Sequence, residues 1–262
     1  MVKTILFLLL IVFWGTISAQ SIKPDSYKSG KLNTSDSSKR VGSTLGRSNF
    51  SLKSAIVPIS LVTAGIIVET LPSNALFSKQ RIQQQVQEKM NGFKTSADNY
   101  LQFVPIAAMF GLKLADTKSR SDLLNQMIIT AKSEMLVSAI VFSMKHFIPD
   151  MRPDGSTDNS MPSGHTAQAF ASATLLAMEY RDTSPWISIG GYLCATATGF
   201  LRVSNDRHWA SDVLIGAGIG IASVKLVYLT HQYRYKRIKM SNVVLVPTLF
   251  QKGGGVAFAM KF

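Results

Sequence analysis

Residues 162–178 read PSGHTAQAFASATLLAM. Pro162 fixes φ and cannot continue a strand, and Gly164 permits close backbone approach. From Ala167 onward the run is smoothly apolar and reads as a helix. A helix starting there points its free N–H groups, and the positive end of its dipole, back at the loop. With the Ser163 hydroxyl and the His165 imidazole on its rim, such a start is an anion site. A Pro-Ser-Gly turn is also, and more often, an ordinary helix cap. The stretch alone does not decide between the two.

Its neighbours decide. Arg152-Pro153 stands ten residues before Pro162, and Lys145 seven residues before Arg152. Downstream come Arg202, His208 and Asp212, at intervals of six and four. A phosphate dianion needs several fixed donors; arginine supplies a planar fork and lysine a compact point charge. One helical turn separates His208 from Asp212, so the carboxylate can hold the imidazole Nδ1–H. A nucleophile, an orienting carboxylate, a second histidine and three cations are the parts for phosphoryl transfer through a covalent intermediate.

Lys145 to Arg152-Pro153, then PSGH, then Arg202 to His208 and Asp212, resembles the three-part signature of the type 2 phosphatidic acid phosphatase and vanadium haloperoxidase superfamily. One position departs from it: Leu201 stands where the family usually has serine, which affects a detail of phosphate contact. The resemblance implies an all-α helical bundle over residues 54–232. It also implies roles. His208 would attack phosphorus and become a phosphohistidine, and Asp212 would hold its ring. His165 would protonate the leaving oxygen and then help activate water. Lys145, Arg152 and Arg202 would bind the non-bridging oxygens, with hydrogen bonds from Ser163 and the Gly164 N–H. No metal or other cofactor is expected, because the cations carry the electrostatic task. The expected activity is a phosphatase acting on phosphorylated lipids: phosphatidate, phosphatidylglycerol phosphate, a polyprenyl pyrophosphate or lipid A. A soluble periplasmic acid phosphatase is the alternative, and a vanadate-dependent haloperoxidase a more distant one.

Composition agrees with a lipid-facing protein. Hydrophobic residues make up 46% of the 262 and charged residues only 16%, against about 25% in soluble proteins. Mean hydropathy is +0.16. The net charge of +13 points to anionic partners, headgroups or phosphorylated substrate. Nucleic acid is not expected, since no stripe interleaves aromatic with basic residues. The single cysteine, Cys194, cannot form an internal disulfide and reads as packing.

In chain order, residues 1–19 have the layout of a secretory signal peptide, with an uncleaved anchor as the alternative. Residues 20–53 read as a flexible basic linker. An apolar stretch at 52–71, broken by Pro58, is long enough to span a bilayer. Residues 78–95 fit an amphipathic surface helix. Residues 99–115 are apolar but carry Gln102, Pro105 and Lys113, which favours a buried or interfacial helix over a span. A long helix over 121–147 ends on Lys145, and helices are expected at 165–180, 186–201 and from near His208 to 229. Residues 154–160 (DGSTDNS) carry two aspartates, but Asp, Gly, Ser and Asn are ordinary turn residues and no His or Glu completes a metal set. Gly216 and Gly220 form a small face suited to close helix packing. Residues 233–262 hold a basic cluster and a tail whose alternation suggests a β-hairpin. The protein is expected to be exported, in or on the inner membrane, with a periplasm-facing site.

Overall fold

The computed structural model describes residues 52–90, 92–233, 243–250 and 253–260, and the structural statements below concern these. The expected signal peptide, nearly all of the linker at 20–53 and the basic cluster at 234–239 lie outside them. Eight helices are described: α1 (Leu52–Thr70), α2 (Lys79–Lys89), α3 (Ala97–Leu101), α4 (Val104–Leu114), α5 (Leu123–Phe147), α6 (Gly164–Tyr180), α7 (Pro185–Ser204) and α8 (Ala210–Thr230). Two strands follow, β1 (Val243–Phe250) and β2 (Gly253–Met260), paired antiparallel from Val243–Met260 to Phe250–Gly253.

The bundle is built around α6 and α8. Side chains are buried all round α6, from Thr166 to Tyr180, as expected of a helix without a polar face. Two apolar clusters meet across it. One joins α4, α5, α6 and α8 through Met109, Ile129, Val137, Leu175, Ile215 and Val224; the other joins α1, α6, α7 and α8 through Leu61, Phe170, Tyr192, Leu214 and Ile221. The glycines of α8 set its spacing to both neighbours. A Cβ on Gly216 would stand 2.6 Å from the Ser163 carbonyl oxygen, and one on Gly218 would stand 2.9 Å from the Pro58 carbonyl oxygen of α1. Gly216 and Gly220 thus face α6, while Gly218 faces α1. Buried Glu179 ties the far end of the bundle, accepting hydrogen bonds from the Ser121 N–H, the Gln126 amide and the Tyr228 hydroxyl.

Two segments depart from the sequence reading and one adds to it, each for a physical reason. Pro58 does not break α1. A proline leaves the carbonyl four residues earlier without its helical donor, and here the Lys225 ammonium donates to that carbonyl, Ser54 O, at 2.7 Å. The helix α2 is the amphipathic surface helix expected, with Gln80, Arg81, Gln84, Glu88 and Lys89 exposed, but its inner face also caps α7. The last carbonyls of a helix lack intrahelical partners; Gln83 donates to Val203 O and Gln87 to Ser204 O, at 3.1 and 3.3 Å. Residues 99–115 divide into α3 and the eleven-residue α4, which at about 1.5 Å per residue reaches only halfway across a bilayer core of about 30 Å.

Candidate active site

The first helical turn of α6 carries both halves of the PSGH reading, divided between residues. Ser163 is the N-cap: it has extended backbone, its Oγ accepts the Thr166 N–H at 3.4 Å and lies 2.9 Å from the Thr166 hydroxyl. Its side chain is fully buried in that task. Gly164 and His165, the next two residues, line a cleft of about 660 Å³. Lys145, Arg152, Arg202 and His208 line the same cleft. Residues 63 positions apart are therefore gathered as the spacing implied, with Ser163 behind the wall rather than in it.

His208 lies in the loop just before α8, and Asp212 in that helix's first turn. The carboxylate oxygen Oδ2 is 3.3 Å from His208 Nδ1, and it also accepts from the Trp209 N–H at 3.0 Å and from the Ser160 hydroxyl. With Nδ1 held, Nε2 is the ring nitrogen left for other chemistry. The Ser163 N–H donates to the Asp212 carbonyl at 3.1 Å, so the PSGH turn and the start of α8 are bonded directly. The close approach permitted by Gly216 sits one turn further along the same contact. Burial, then the Arg202, Lys145 and Arg152 charges, push His208 well below the ordinary imidazole value. Burial and Arg202 push His165 down to about 4. Both rings are neutral at pH 7, the state a nucleophilic imidazole needs.

The cations are held in place by neighbours. Lys145 Nζ, in the last turn of α5, donates to the carbonyls of Asn159 and Ser160. Arg152 Nη2 donates to Asn159 Oδ1 at 3.0 Å, while the backbone from Asp150 to Ser160 closes on itself through Asp150–Asp158, Arg152–Thr157 and Ser160–Asp150 bonds. Burial, followed by repulsion from Arg207 and Arg202, lowers the Arg152 pKa. Arg202, in the last turn of α7, is buried and donates from Nη1 to Asp98 Oδ2 at 2.7 Å. Among the described residues one carboxylate group has oxygens close enough for a cation, Glu69, Asp150 and Asp212, within 4.8 Å of one another. Lys79 Nζ already bridges Glu69 and Asp150, at 2.5 and 2.7 Å.

With this geometry in hand, the comparisons with known proteins are direct. Residues 127–236 match the family described as the PAP2 superfamily. This stretch is a PAP2 superfamily domain. Over 137 residues, 52% of this chain, the sequence is 44% identical to the lipid A 1-phosphatase of Porphyromonas gingivalis; the match covers 31% of that relative, so the chain spans about a third of its length. A crystal structure of Aquifex aeolicus LpxE aligns at 22% identity and a TM-score of 0.41, over 55% of this chain and 93% of that one.

All eight signature residues lie inside the PAP2 domain, and so do the Ser160 and Asn159 contacts that the sequence reading took for turn chemistry. Asp98, Asn99, Glu69 and Lys79 do not. They come from α1, α2 and α3, upstream of the domain, and nothing in their local sequence marks them. Of the remaining histidines, His146 packs edge-to-face with Phe147, ring centroids 4.9 Å apart, and His231 bonds Asn125 at 2.8 Å. The arrangement suits an in-line displacement at phosphorus. A held imidazole forms the floor, three cations surround it, and a second imidazole stands beside them.

Proposed function

We propose that this chain is a phosphatase of lipid-linked phosphate, working through a phosphohistidine on His208, with lipid A as the substrate class to test first. The carrying observation is buried His208, its Nδ1 held by Asp212 on the floor of a cleft walled by Lys145, Arg152 and Arg202. In this reading the three cations bind the non-bridging oxygens. His208 Nε2 attacks phosphorus as the bond to the leaving oxygen breaks, and His165 gives that oxygen a proton. Water then attacks phosphorus, the N–P bond breaks with its electron pair returning to His208 Nε2, and His165 takes a proton from that water. Two negative charges of bound phosphate oppose the cations that depress His165, so substrate itself raises the ring toward its working range.

The lipid part of the reading is supported by the surface. Helices α5 and α8 are long and apolar enough to cross a membrane. Along α5, Met135, Phe142 and Phe147 are more than 70% exposed, and Ile56, Ile59, Ile66 and Ile67 of α1 are exposed too. Exposed apolar side chains in such number along two helices mark a membrane or partner contact. The C-terminal end of α5 (Lys145) and the N-terminal end of α8 (Asp212) meet at the site. The cleft therefore opens at one end of the candidate spans, where a headgroup phosphate would lie. Lipid A phosphate follows from the relative's name. A site facing the periplasm remains our assignment for orientation.

The test is phosphate release by the purified chain, with EDTA present, from lipid A, phosphatidate, phosphatidylglycerol phosphate, undecaprenyl pyrophosphate and p-nitrophenyl phosphate, beside His208→Ala. We expect release from lipid A, abolished in the variant. Release from p-nitrophenyl phosphate alone would replace the reading with a small-ester phosphatase, and no release at all would overturn it. Orientation is tested by an impermeant thiol reagent on Asp158→Cys in a Cys194→Ala background. Labelling only after the inner membrane is permeabilised overturns the periplasmic assignment.

A further inference from the structure

The short helix α3 is five residues long, too short to hold itself together. What holds it is a set of polar bonds to the active site. Asn205, the residue after α7, clamps the chain just before it: its Nδ2 donates to Thr95 O at 2.8 Å and its Oδ1 accepts the Thr95 N–H at 2.9 Å. Asp98 then uses both carboxylate oxygens. One accepts from Arg202 Nη1 at 2.7 Å, the other from Asn205 Nδ2 at 3.2 Å, and the residue is 1% exposed. Asn99 points the other way. Its Oδ1 lies 2.8 Å from His165 Nε2 although the residue is otherwise exposed. Core packing therefore does not account for Asn99, and its one recorded side-chain bond is to His165.

We propose that Asp98 and Asn99 are positioning residues of the catalytic centre, supplied from outside the PAP2 domain: Asp98 orients the phosphate-binding Arg202, and Asn99 orients His165 and stabilises its protonated form. This rests on the reading of His165 as proton donor and Arg202 as phosphate ligand. A carbonyl oxygen beside Nε2 can only accept, so Nε2 keeps its hydrogen and the other ring nitrogen is the one that gains and gives a proton. Accepting that hydrogen also favours the imidazolium, opposing the burial and the Arg202 charge that hold the ring neutral. In the chemical step the His208 N–P bond forms, the phosphorus–oxygen bond breaks with its electron pair going to oxygen, and the His165 proton neutralises that oxygen. Up to departure of the leaving group, the part of the reaction that kcat/KM reports, Asn99 is felt only where the leaving oxygen needs the proton; the later attack of water, in which His165 accepts a proton, is common to all substrates. Asp98 acts before that, on how phosphate is held.

The two roles separate in one experiment on the full chain. The substrates are the lipid phosphate that the unmodified protein hydrolyses best in the panel above and its bridging-sulfur analogue, whose thiolate leaves without a proton. Asn99→Ala is expected to lower kcat/KM on the oxygen ester by about 10²-fold, the lower end of what a positioned proton donor supplies. On the sulfur ester it should change kcat/KM less than about threefold. Asn99→Asp, which keeps an acceptor, should restore most of the loss. Asp98→Asn is expected to raise KM about tenfold on both esters alike, as expected for a weakened charge-assisted bond. Equal losses on the two esters for Asn99→Ala, or no loss on either, overturn the assignment of Asn99. Unchanged KM in Asp98→Asn overturns that of Asp98. His165→Ala is run alongside. If it too fails to distinguish the esters, the proton-donor reading itself falls; if it distinguishes them and Asn99→Ala does not, only the present inference falls.

Discussion

Replacing Gly216 by alanine tests the link between helix packing and chemistry. The new Cβ would lie 2.6 Å from the Ser163 carbonyl oxygen and 3.4 Å from the Ala167 nitrogen, where 3.4 Å is the start of ordinary contact. The deficit is about 0.8 Å against main-chain atoms on both sides, which cannot rotate away, so α6 and α8 must part by about that much. Overpacking of this kind costs about 1–3 kcal/mol of stability. The parted contact is also the one that seats the site, since Ser163 N–H bonds Asp212 O and Ser160 bonds the Asp212 carboxylate. A misplacement near 1 Å costs about 10²-fold in rate. Thermal unfolding in detergent and phosphate release on the same preparation give both numbers. Gly190→Ala is the control: Gly190 lies within α7, a Cβ there meets nothing within 4 Å, and the change should be neutral or stabilise by up to about 1 kcal/mol. A Gly216→Ala protein that melts with the parent and turns over at the parent's rate would refute the argument, because it would mean the two helices can part without disturbing His208.

Acid should weaken the fold through the two histidines. His165 is pushed down to about 4 in the folded chain and sits near 6.5 when unfolded. Between those values the unfolded state binds more protons, so this contribution to stability is present above about pH 6.5 and is lost as pH falls toward 4; His165→Asn should flatten the fall in melting temperature over that window. At the opposite end, Glu179→Leu leaves the Ser121 N–H, the Gln126 amide and the Tyr228 hydroxyl without their buried acceptor. A loss of about 3 kcal/mol is expected, with Glu179→Gln costing less because it keeps an acceptor; equal melting temperatures for the two variants would count against this account.

The parts of the site that were legible in the sequence are those whose chemistry is local. Lys145 and Arg202 each close a helix, Gly164-His165 opens one, and His208 and Asp212 sit four residues apart across a helix start, so spacing along the chain carries the geometry. Ser163 shows the limit of that logic. The residue type fits a phosphate ligand and a helix cap equally well, and the orphan Thr166 N–H took the hydroxyl. Pro58 shows another limit, since the donor that keeps α1 continuous is a lysine 167 positions later. Asp98 and Asn99 stood in an unremarkable polar stretch. Their partners are 104 and 66 residues away, and no periodicity links residues that meet only through the fold.

Helix ends supply a reason why the phosphate site and the stability of the bundle are hard to separate. The C-terminal ends of α5 and α7 carry partial negative charge, and the cations that offset it are Lys145 and Arg202. The N-terminal ends of α6 and α8 carry partial positive charge; α8 offsets its own with Asp212, while α6 opens onto the cleft through Gly164 and His165. Each proposed phosphate ligand on a helix end therefore also completes that end. Neutralising Lys145 removes the charge proposed to meet the transition state and leaves the Asn159 and Ser160 carbonyls without their donor, so the loop bearing Arg152 and Ser160 loosens with it. A phosphate bound in the cleft acts in the opposite sense. It supplies the negative charge that α6 lacks and relieves the mutual repulsion of the three cations. Phosphate should therefore stabilise the chain against unfolding by more than its contacts with any single cation would suggest.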